Sequence, residues 1–325
     1  MKAYHISKTN KIQDLILKET GSLPVKTDEI RVKLKAIGLN PVDYKIIEGA
    51  FNLPAGHIPG VDGAGEIVEI GSDVKNLNLG NRVVFHSNLK KAGTFAEEIV
   101  VPAHVVSKIP QSISYEQAAS IPCAGYTAYQ AIVRKIHLSS EDAILINGGS
   151  GGVGSFGIQI AKTIGAKVIS SCSESKMDYV KSLNCDCVID YNTANLNSEL
   201  LRFTNEEGVD AVLDAVSGKS ASESLRNLRF NGRIAFIAGA PDYSLIRPFS
   251  KALSFHEIAL GGAYLSDDLK AQKDLAKMGD EILELLTKEK MKFPEITGYP
   301  FEKLPEALMN LKEGKHQGKV VVLVD

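Results

Sequence analysis

The sequence predicts an α/β chain in two parts, a small β-barrel-like lobe and a doubly wound parallel sheet. Three observations carry that reading. From Met1 to about Gln117, short β-branched runs (EIRVKL, GEIVEI, NRVVF, EEIVV) are punctuated by Gly, Pro and Asn, the pattern of brief strands and tight turns. From about Asp142, short apolar runs alternate with helical segments, as the strands of a parallel sheet alternate with their crossover helices. The 325 residues also exceed what one hydrophobic core ordinarily organises. The lobes are therefore placed at 1–120 and 121–264, with 265–325 expected to return to the first.

In the second lobe the predicted strands are AILIN, AKVIS, CVID, VDAVLDAV and GRIAFIAG, and the first helices are the segment ending at Lys162 and SKMDYVKSL. After Gly262 come a long charged helix pattern, DDLKAQKDLAKMGDEILELLTKEK, a proline-containing loop, a helix near EALMNLKEG and a closing strand, KVVVLVD.

Composition narrows the function classes. Hydrophobic content of 44%, charged content of 23% and a net charge of -2 describe a globular protein without the basic excess that would attract a phosphate backbone or an anionic membrane. The opening segment MKAYHISKTNKIQDLIL has no basic region followed by an apolar run, and no later stretch stays apolar for the roughly 20 residues that span a bilayer. A cytoplasmic location is the expectation. Cys123, Cys172, Cys185 and Cys187 form no even-spaced framework and no CxxC pair, so they are expected to be reduced thiols.

Directly after AILI stands NGGSGGVGSFGIQIAK. Gly149, Gly151 and Gly154 give GxGxxG, Gly148, Gly151 and Gly154 give GxxGxxG, and Ser150, Gly152 and Val153 complete the turn. With a strand before it and an amphipathic helix after it, the turn suits a dinucleotide pyrophosphate at the positive end of the helix. An NAD site places an acid about 20 residues on, at the tip of the second strand. Here Ser170, Ser171, Cys172 and Ser173 occupy that stretch, and Lys176 follows. Hydroxyl donors and a lysine bond and neutralise a 2′-phosphate that a carboxylate would repel, so the expected cofactor is NADPH, with Glu174 as the one opposing charge. Tyr191, after CVID, is expected to flank the adenine.

The segments GLNPVDYKIIEGAF and PGVDGAGEIVEIGSDV, together with NGGSGGVG, resemble the medium-chain dehydrogenase/reductase superfamily, and within it the zinc-independent quinone oxidoreductase branch. The resemblance covers essentially the whole chain. It implies a GroES-like β-barrel catalytic domain joined to a Rossmann domain, and a homodimer paired edge to edge near EIALGG. In the zinc-dependent members the second segment reads GHExxGxxxxxGxxV. Here Gly60, Asp62, Gly65, Gly71 and Val74 keep that spacing, but the ligand histidine is replaced by Val61. Asn40 stands for the cysteine ligand of the first segment, only Cys123 falls near the third ligand, and the four-cysteine structural zinc lobe is missing between His86 and Phe95. One thiol cannot hold a metal that needs three protein ligands, so no metal is expected.

The resemblance places NPVD beside the nicotinamide, which makes Asn40, Asp43 and Tyr44 the candidate catalytic residues. Asn40 could donate to an acceptor oxygen or simply form a turn before Pro41, Asp43 could cap the helix that follows, and Tyr44 could orient substrate or relay a proton. Related acyl-thioester reductases carry a proton-donating tyrosine where this chain has Phe51. Thr127 in AGYTAYQA falls where the family positions the nicotinamide end, and Ala238 and Gly239 in FIAG should face the crevice at the carboxyl ends of the strands. Lys319 also matches a family position near the cofactor, although a lysine before a terminal strand is ordinarily surface charge. His86, His137, His256 and His316 show no partner or ligand spacing and read as packed or exposed histidines.

Without a Lewis acid to stabilise an alkoxide, alcohol oxidation is disfavoured, and hydride delivery to a quinone or enone remains. The alternatives are an alkenal or alkenone detoxification reductase and a non-catalytic, crystallin-like NADPH-binding protein.

Overall fold

The computed structural model describes residues 1–325 and divides them into two compact units. Unit 1 comprises Met1–Tyr126, Leu260–Lys288 and Glu295–Asp325; unit 2 comprises Thr127–Ala259 and Glu289–Pro294.

Unit 1 begins with β1 (Lys2–His5), β2 (Ile16–Glu19), β3 (Glu29–Leu39), α1 (Pro41–Ile47), β4 (Asp62–Ile70), β5 (Arg82–His86), β6 (Glu98–Pro102), β7 (Val106–Lys108) and α2 (Tyr115–Ala119). Unit 2 contributes α3 (Thr127–Tyr129), β8 (Ala143–Asn147), α4 (Gly152–Ile164), β9 (Lys167–Cys172), α5 (Met177–Ser182), β10 (Cys187–Asp190), α6 (Leu196–Phe203), β11 (Val209–Asp214), α7 (Gly218–Ser224), β12 (Leu228–Phe236) and β13 (Ser254–Glu257). The chain ends in unit 1 with α8 (Gly262–Leu265), α9 (Leu269–Thr287), β14 (Ile296–Pro300), α10 (Leu304–Lys312) and β15 (Lys319–Leu323).

The fold is the β-rich lobe and the doubly wound parallel sheet that the strand patterns predict. In unit 1, β1 and β2 pair antiparallel, and the main sheet runs β14-β15-β3-β4-β5-β7 with β6 beside β3. β3 alternates buried and less buried residues over its first half, and Ile30, Val32 and Leu34 enter the core from one face. The tail returns because KVVVL becomes β15, antiparallel to β3 with Val320 opposite Leu39.

In unit 2 all six strands are parallel, in the order β10-β9-β8-β11-β12-β13. Helices cover such a sheet on both faces, so its central strands read as unbroken apolar runs: Ile144, Leu145 and Ile146 are all fully buried. Leu145, Ile169, Val212 and Ile234 meet in one core cluster with Leu200, Leu225 and Leu228. The strand order reverses between β8 and β11, which opens a crevice at their carboxyl ends. β13, one of the two edge strands, spans Ser254–Glu257 and runs into EIALGG at Glu257, and Ile258 adds one more bond to Phe236 O (3.1 Å) before the chain leaves the sheet. No helix is long and apolar enough to cross a membrane.

Leu145→Ala leaves a cavity in the centre of the parallel sheet and is expected to lower unfolding free energy by about 3 kcal/mol, measured by urea denaturation.

Candidate functional site

Because the strands of unit 2 are parallel, their carboxyl ends share one edge, and that edge collects the glycine turn after β8, Ser173 and Lys176 after β9, Tyr191 after β10, and Ala238 and Gly239 after β12. The glycines divide the labour. A Cβ on Gly149 would lie 2.1 Å from Ser170 Oγ and one on Gly154 would lie 2.2 Å from Gly148 O, so both exist to let the turn close on β9 and α4 on the turn. Gly148 takes φ +77 to start the turn. A Cβ on Gly151 meets only Gly148 O, at 3.4 Å, and Gly151 is exposed as the N-cap of α4. The amide end of a 13-residue helix thus lies beside open space, and a dinucleotide pyrophosphate fits such a cradle.

The turn is fastened from below by one carboxylate. Asp214, at the end of β11, accepts from Asn147 Nδ2 (2.8 Å), Ser220 Oγ (2.5 Å), Val216 N (3.0 Å) and Ser217 N (3.1 Å). Asn147 in turn bonds Ser224 Oγ (2.8 Å) and accepts from Ser171 Oγ (3.1 Å), tying together the ends of β8, β9, β11 and α7.

Ser173 caps the short turn Glu174–Lys176, with Ser173 and Lys176 half-buried and Glu174 exposed. Asp190, the acid at the tip of β10, is engaged by its own loop through Asn192 N (3.0 Å) and Thr193 Oγ1 (2.8 Å), which hold its carboxyl below the usual range. Tyr191 is 58% exposed and Thr127 is buried. Ala238 and Gly239 are exposed, and Gly239, at φ +136, backs onto the start of α7.

Unit 1 holds a buried polar cluster. Asn40 caps α1, and Asp43, three residues on, reaches back to accept from Asn40 N (2.8 Å), so Asp43 is a helix-capping group. The Asn40 side chain is spent internally. Its Nδ2 donates to Asp62 Oδ2 (2.8 Å) and Gly38 O (3.2 Å), while its Oδ1 accepts from Lys319 Nζ. No amide proton is left for a substrate oxygen. Lys319 is not the surface charge its sequence context suggests. It is 3% exposed and also donates to Leu39 O (3.2 Å), because β15 is drawn against β3. Tyr44 is half-buried, and burial and Glu48 push its phenol up. Phe51 is 38% exposed.

Asp62 is the centre of that cluster. Oδ1 accepts from His86 Nδ1 (2.9 Å), and Oδ2 accepts from Asn40 and from Cys123 N (2.9 Å). His86 therefore has a partner 24 residues away that sequence spacing does not reveal. The signal lies in the β4–β5 register, which sets Asp62 directly opposite His86. Ligand atoms of Asp62, His86 and Cys123 lie within 4.8 Å of one another, a spacing that a metal could use. Both carboxylate oxygens are already committed, however, and the Lys319 ammonium sits on the far side of Asn40, so the donor set suits hydrogen bonding better than a divalent ion. Burial, and secondarily Asp62, push the Cys123 thiol well up, which keeps it protonated.

Asp43 is fully buried, and its Oδ1 lacks a well-aligned hydrogen-bond donor. Burial first, then Asp62, raise its carboxyl to about 8 against the smaller lowering by the Asn40 and Val61 backbone and Lys319. The folded protein holds this proton far more tightly than the unfolded chain, whose carboxyl titrates near 3.8. The stability that the proton contributes is full below that value and is lost as pH rises to about 8. Thermal melts are expected to show roughly 4 kcal/mol of this loss between pH 5 and pH 8, and Asp43→Asn, which mimics the protonated acid, should flatten it. For the glycine cradle, Gly154→Ala should cost both stability and cofactor affinity, whereas Gly151→Ala should weaken cofactor binding about tenfold with an unchanged melting temperature. Calorimetry and fluorescence titration separate the two.

Comparison with known proteins agrees with this geometry. Residues 152–284 match the zinc-binding dehydrogenase family and residues 26–111 the alcohol dehydrogenase GroES-like domain. The chloroplast envelope quinone oxidoreductase homolog of Arabidopsis thaliana is 32% identical over 306 residues, 91% of this chain and 90% of the relative. The mitochondrial NAD(P)H oxidoreductase RTN4IP1 of Danio rerio is 31% identical, covering 100% and 91%. The solved quinone oxidoreductase of Coxiella burnetii superposes with a TM-score of 0.83 at 26% identity, covering 100% of this chain and 99% of that one. With a GroES-like domain, a glycine cradle at a parallel-sheet switch point and relatives matched along nearly their full length, the chain belongs to the medium-chain dehydrogenase/reductase superfamily of nicotinamide-dependent oxidoreductases.

Proposed function

We propose that this protein is an NADPH-dependent, zinc-independent reductase that delivers hydride to a quinone or an α,β-unsaturated carbonyl. The observation that carries the cofactor choice is the tip of β9, where β9 ends in Ser170, Ser171 and Cys172 without an acid and Ser173 and Lys176 flank the exposed Glu174. A 2′-phosphate there meets a hydroxyl and an ammonium, and the Asp190 carboxylate is occupied by its own loop. When bound, the nicotinamide supplies the hydride. The chain's part is to hold the pyrophosphate on the turn from Gly148 to Gly154, with Tyr191 beside the adenine and Thr127, Ala238 and Gly239 toward the nicotinamide end.

Zinc independence is supported by Val61 and Asn40 in the ligand positions and by the prior engagement of both Asp62 oxygens. A conjugated acceptor spreads the incoming charge onto its own oxygen and so needs no Lewis acid. The names of the Arabidopsis and Coxiella relatives favour quinones, and enones share the same electronic requirement. For assembly, the one-sided β13 favours a homodimer paired along that edge.

Titration followed by nicotinamide fluorescence is expected to show NADPH binding at least tenfold tighter than NADH, with Lys176→Ala removing most of the difference. Turnover of 1,4-benzoquinone, 9,10-phenanthrenequinone or a 2-alkenal should be insensitive to chelator. Equal NADH affinity would sink the cofactor assignment, chelator-sensitive turnover the metal-free one, and tight NADPH binding without turnover of any acceptor would favour a non-catalytic binding protein.

A further inference from the structure

β13 has one unpaired side, and the way it bonds β12 fixes which of its groups face outward. Ile258 N donates to Phe236 O (3.1 Å), and Glu257 lies beside Phe236, so the even-numbered residues of the strand bond inward to β12. The N–H and C=O groups of Phe255 and Glu257 therefore point away from the sheet. Side chains alternate between its faces. The Phe255 ring meets Tyr243 edge-on (4.8 Å between centroids) and packs against the core cluster, so His256 lies on the opposite face.

A two-fold axis normal to the sheet keeps each face on its own side, so a second copy of β13 pairs antiparallel with odd residues opposite odd and even opposite even. The register that satisfies every outward group sets Phe255 opposite Glu257 of the copy, and Glu257 opposite its Phe255. His256 then stands at the axis and faces His256 of the copy as a non-hydrogen-bonded pair, the closer kind, with Cα atoms about 4.5 Å apart. The surroundings of His256 are basic. Lys135 and His137 come from the end of the helical segment Gln130–Ile136, and Arg233 from β12, two places before Ala235, the residue beside His256. Asp142 is already tied to Arg233 (2.9 Å), whose guanidinium also donates to Ile136 O (3.1 Å). Burial first, then Lys135, His137 and Arg233, hold the His256 imidazole below its ordinary range.

We propose that the edge-paired dimer is released by acid: the copies meet with His256 against His256 at the two-fold axis, and protonation of that pair drives them apart. The proposal rests on the homodimer reading given above. Two neutral imidazoles pack across the axis without penalty, whereas two imidazolium ions at that spacing, each beside Lys135 and Arg233 of its own copy, repel one another. The dimer thus binds fewer protons than two separate chains. Its affinity is full above the range in which the free chain's His256 titrates, and it is lost as pH falls through that range.

Sedimentation velocity of the full chain over a concentration series, without cofactor, is expected to show a dimer at pH 7.5 whose Kd rises at least about tenfold by pH 5. His256→Gln keeps a polar side chain that cannot charge, and its Kd should stay within about threefold across the same range. Circular dichroism at both pH values checks that the chains are folded, and His256→Asn takes the place of a glutamine variant that is not. The register has a separate readout. Under copper-phenanthroline oxidation, His256→Cys should link two copies through the introduced thiols, because a disulfide spans Cα atoms roughly 4.4–6.8 Å apart, whereas Ser254→Cys, two places from the axis, should not. Peptide mass mapping identifies the bond. A dimer with the same Kd at both pH values, or a pH response that survives in His256→Gln, overturns the acid release. A dimeric His256→Cys protein that forms no such bond, or a Ser254→Cys protein that links as readily, overturns the register. A wild-type chain that is monomeric at pH 7.5 overturns the homodimer reading and this proposal together, and leaves the reductase reading untouched.

Discussion

Each unit is organised by a buried carboxylate at the end of a strand, and the local geometry depends on keeping that charge satisfied. Asp62 opens β4 and Asp214 closes β11. A buried charge with an empty lone pair costs several kcal/mol, so every donor that reaches it is held in place by that cost. Asp62 thereby fixes Asn40 at the head of α1, His86 at the end of β5 and the backbone at Cys123. Asp214 fixes Asn147, the two residues before α7 and Ser220. Asn147 is the last residue before the glycine turn, so the shape of that turn is set by a residue 67 positions further along the chain.

The cluster in unit 1 is also balanced in charge. Asp62 is countered by Lys319, whose ammonium reaches it through the Asn40 amide: the carbonyl takes the cation and the amide N–H takes the anion. Asp43, held near 8, stays largely neutral at physiological pH and adds no second negative charge. This arrangement explains why three side chains at metal-binding spacing form a hydrogen-bonded cluster, and why the amide of Asn40 cannot also serve a substrate.

The glycine turn shows the complementary case, in which function needs absence. Gly149 and Gly154 have no side chain because backbone and Ser170 occupy the space, whereas Gly151 has none although little occupies it. The first two positions are explained by packing inside unit 2, whereas packing places no such demand on the third.

Much of the architecture was legible in the sequence because it follows from local periodicity. The unbroken apolar runs AILIN and CVID become the parallel strands β8 and β10 at those residues, and the glycine pattern marks the strand-to-helix turn without reference to anything distant. Ser173 and Lys176 could be singled out because they follow that turn at a fixed interval along the chain. The polar cluster of unit 1 was not legible in the same way. Lys319 reads as a surface charge and His86 as a histidine without a partner, since their surroundings are supplied by strands 279 and 24 residues away, and only sheet register says which residues face each other. Sequence alone therefore determined the fold class and the glycine turn between β8 and α4, both products of short-range pattern. Tertiary structure decided which polar residues are buried together and in what state of protonation, because burial and charge pairing are properties of the assembled sheet.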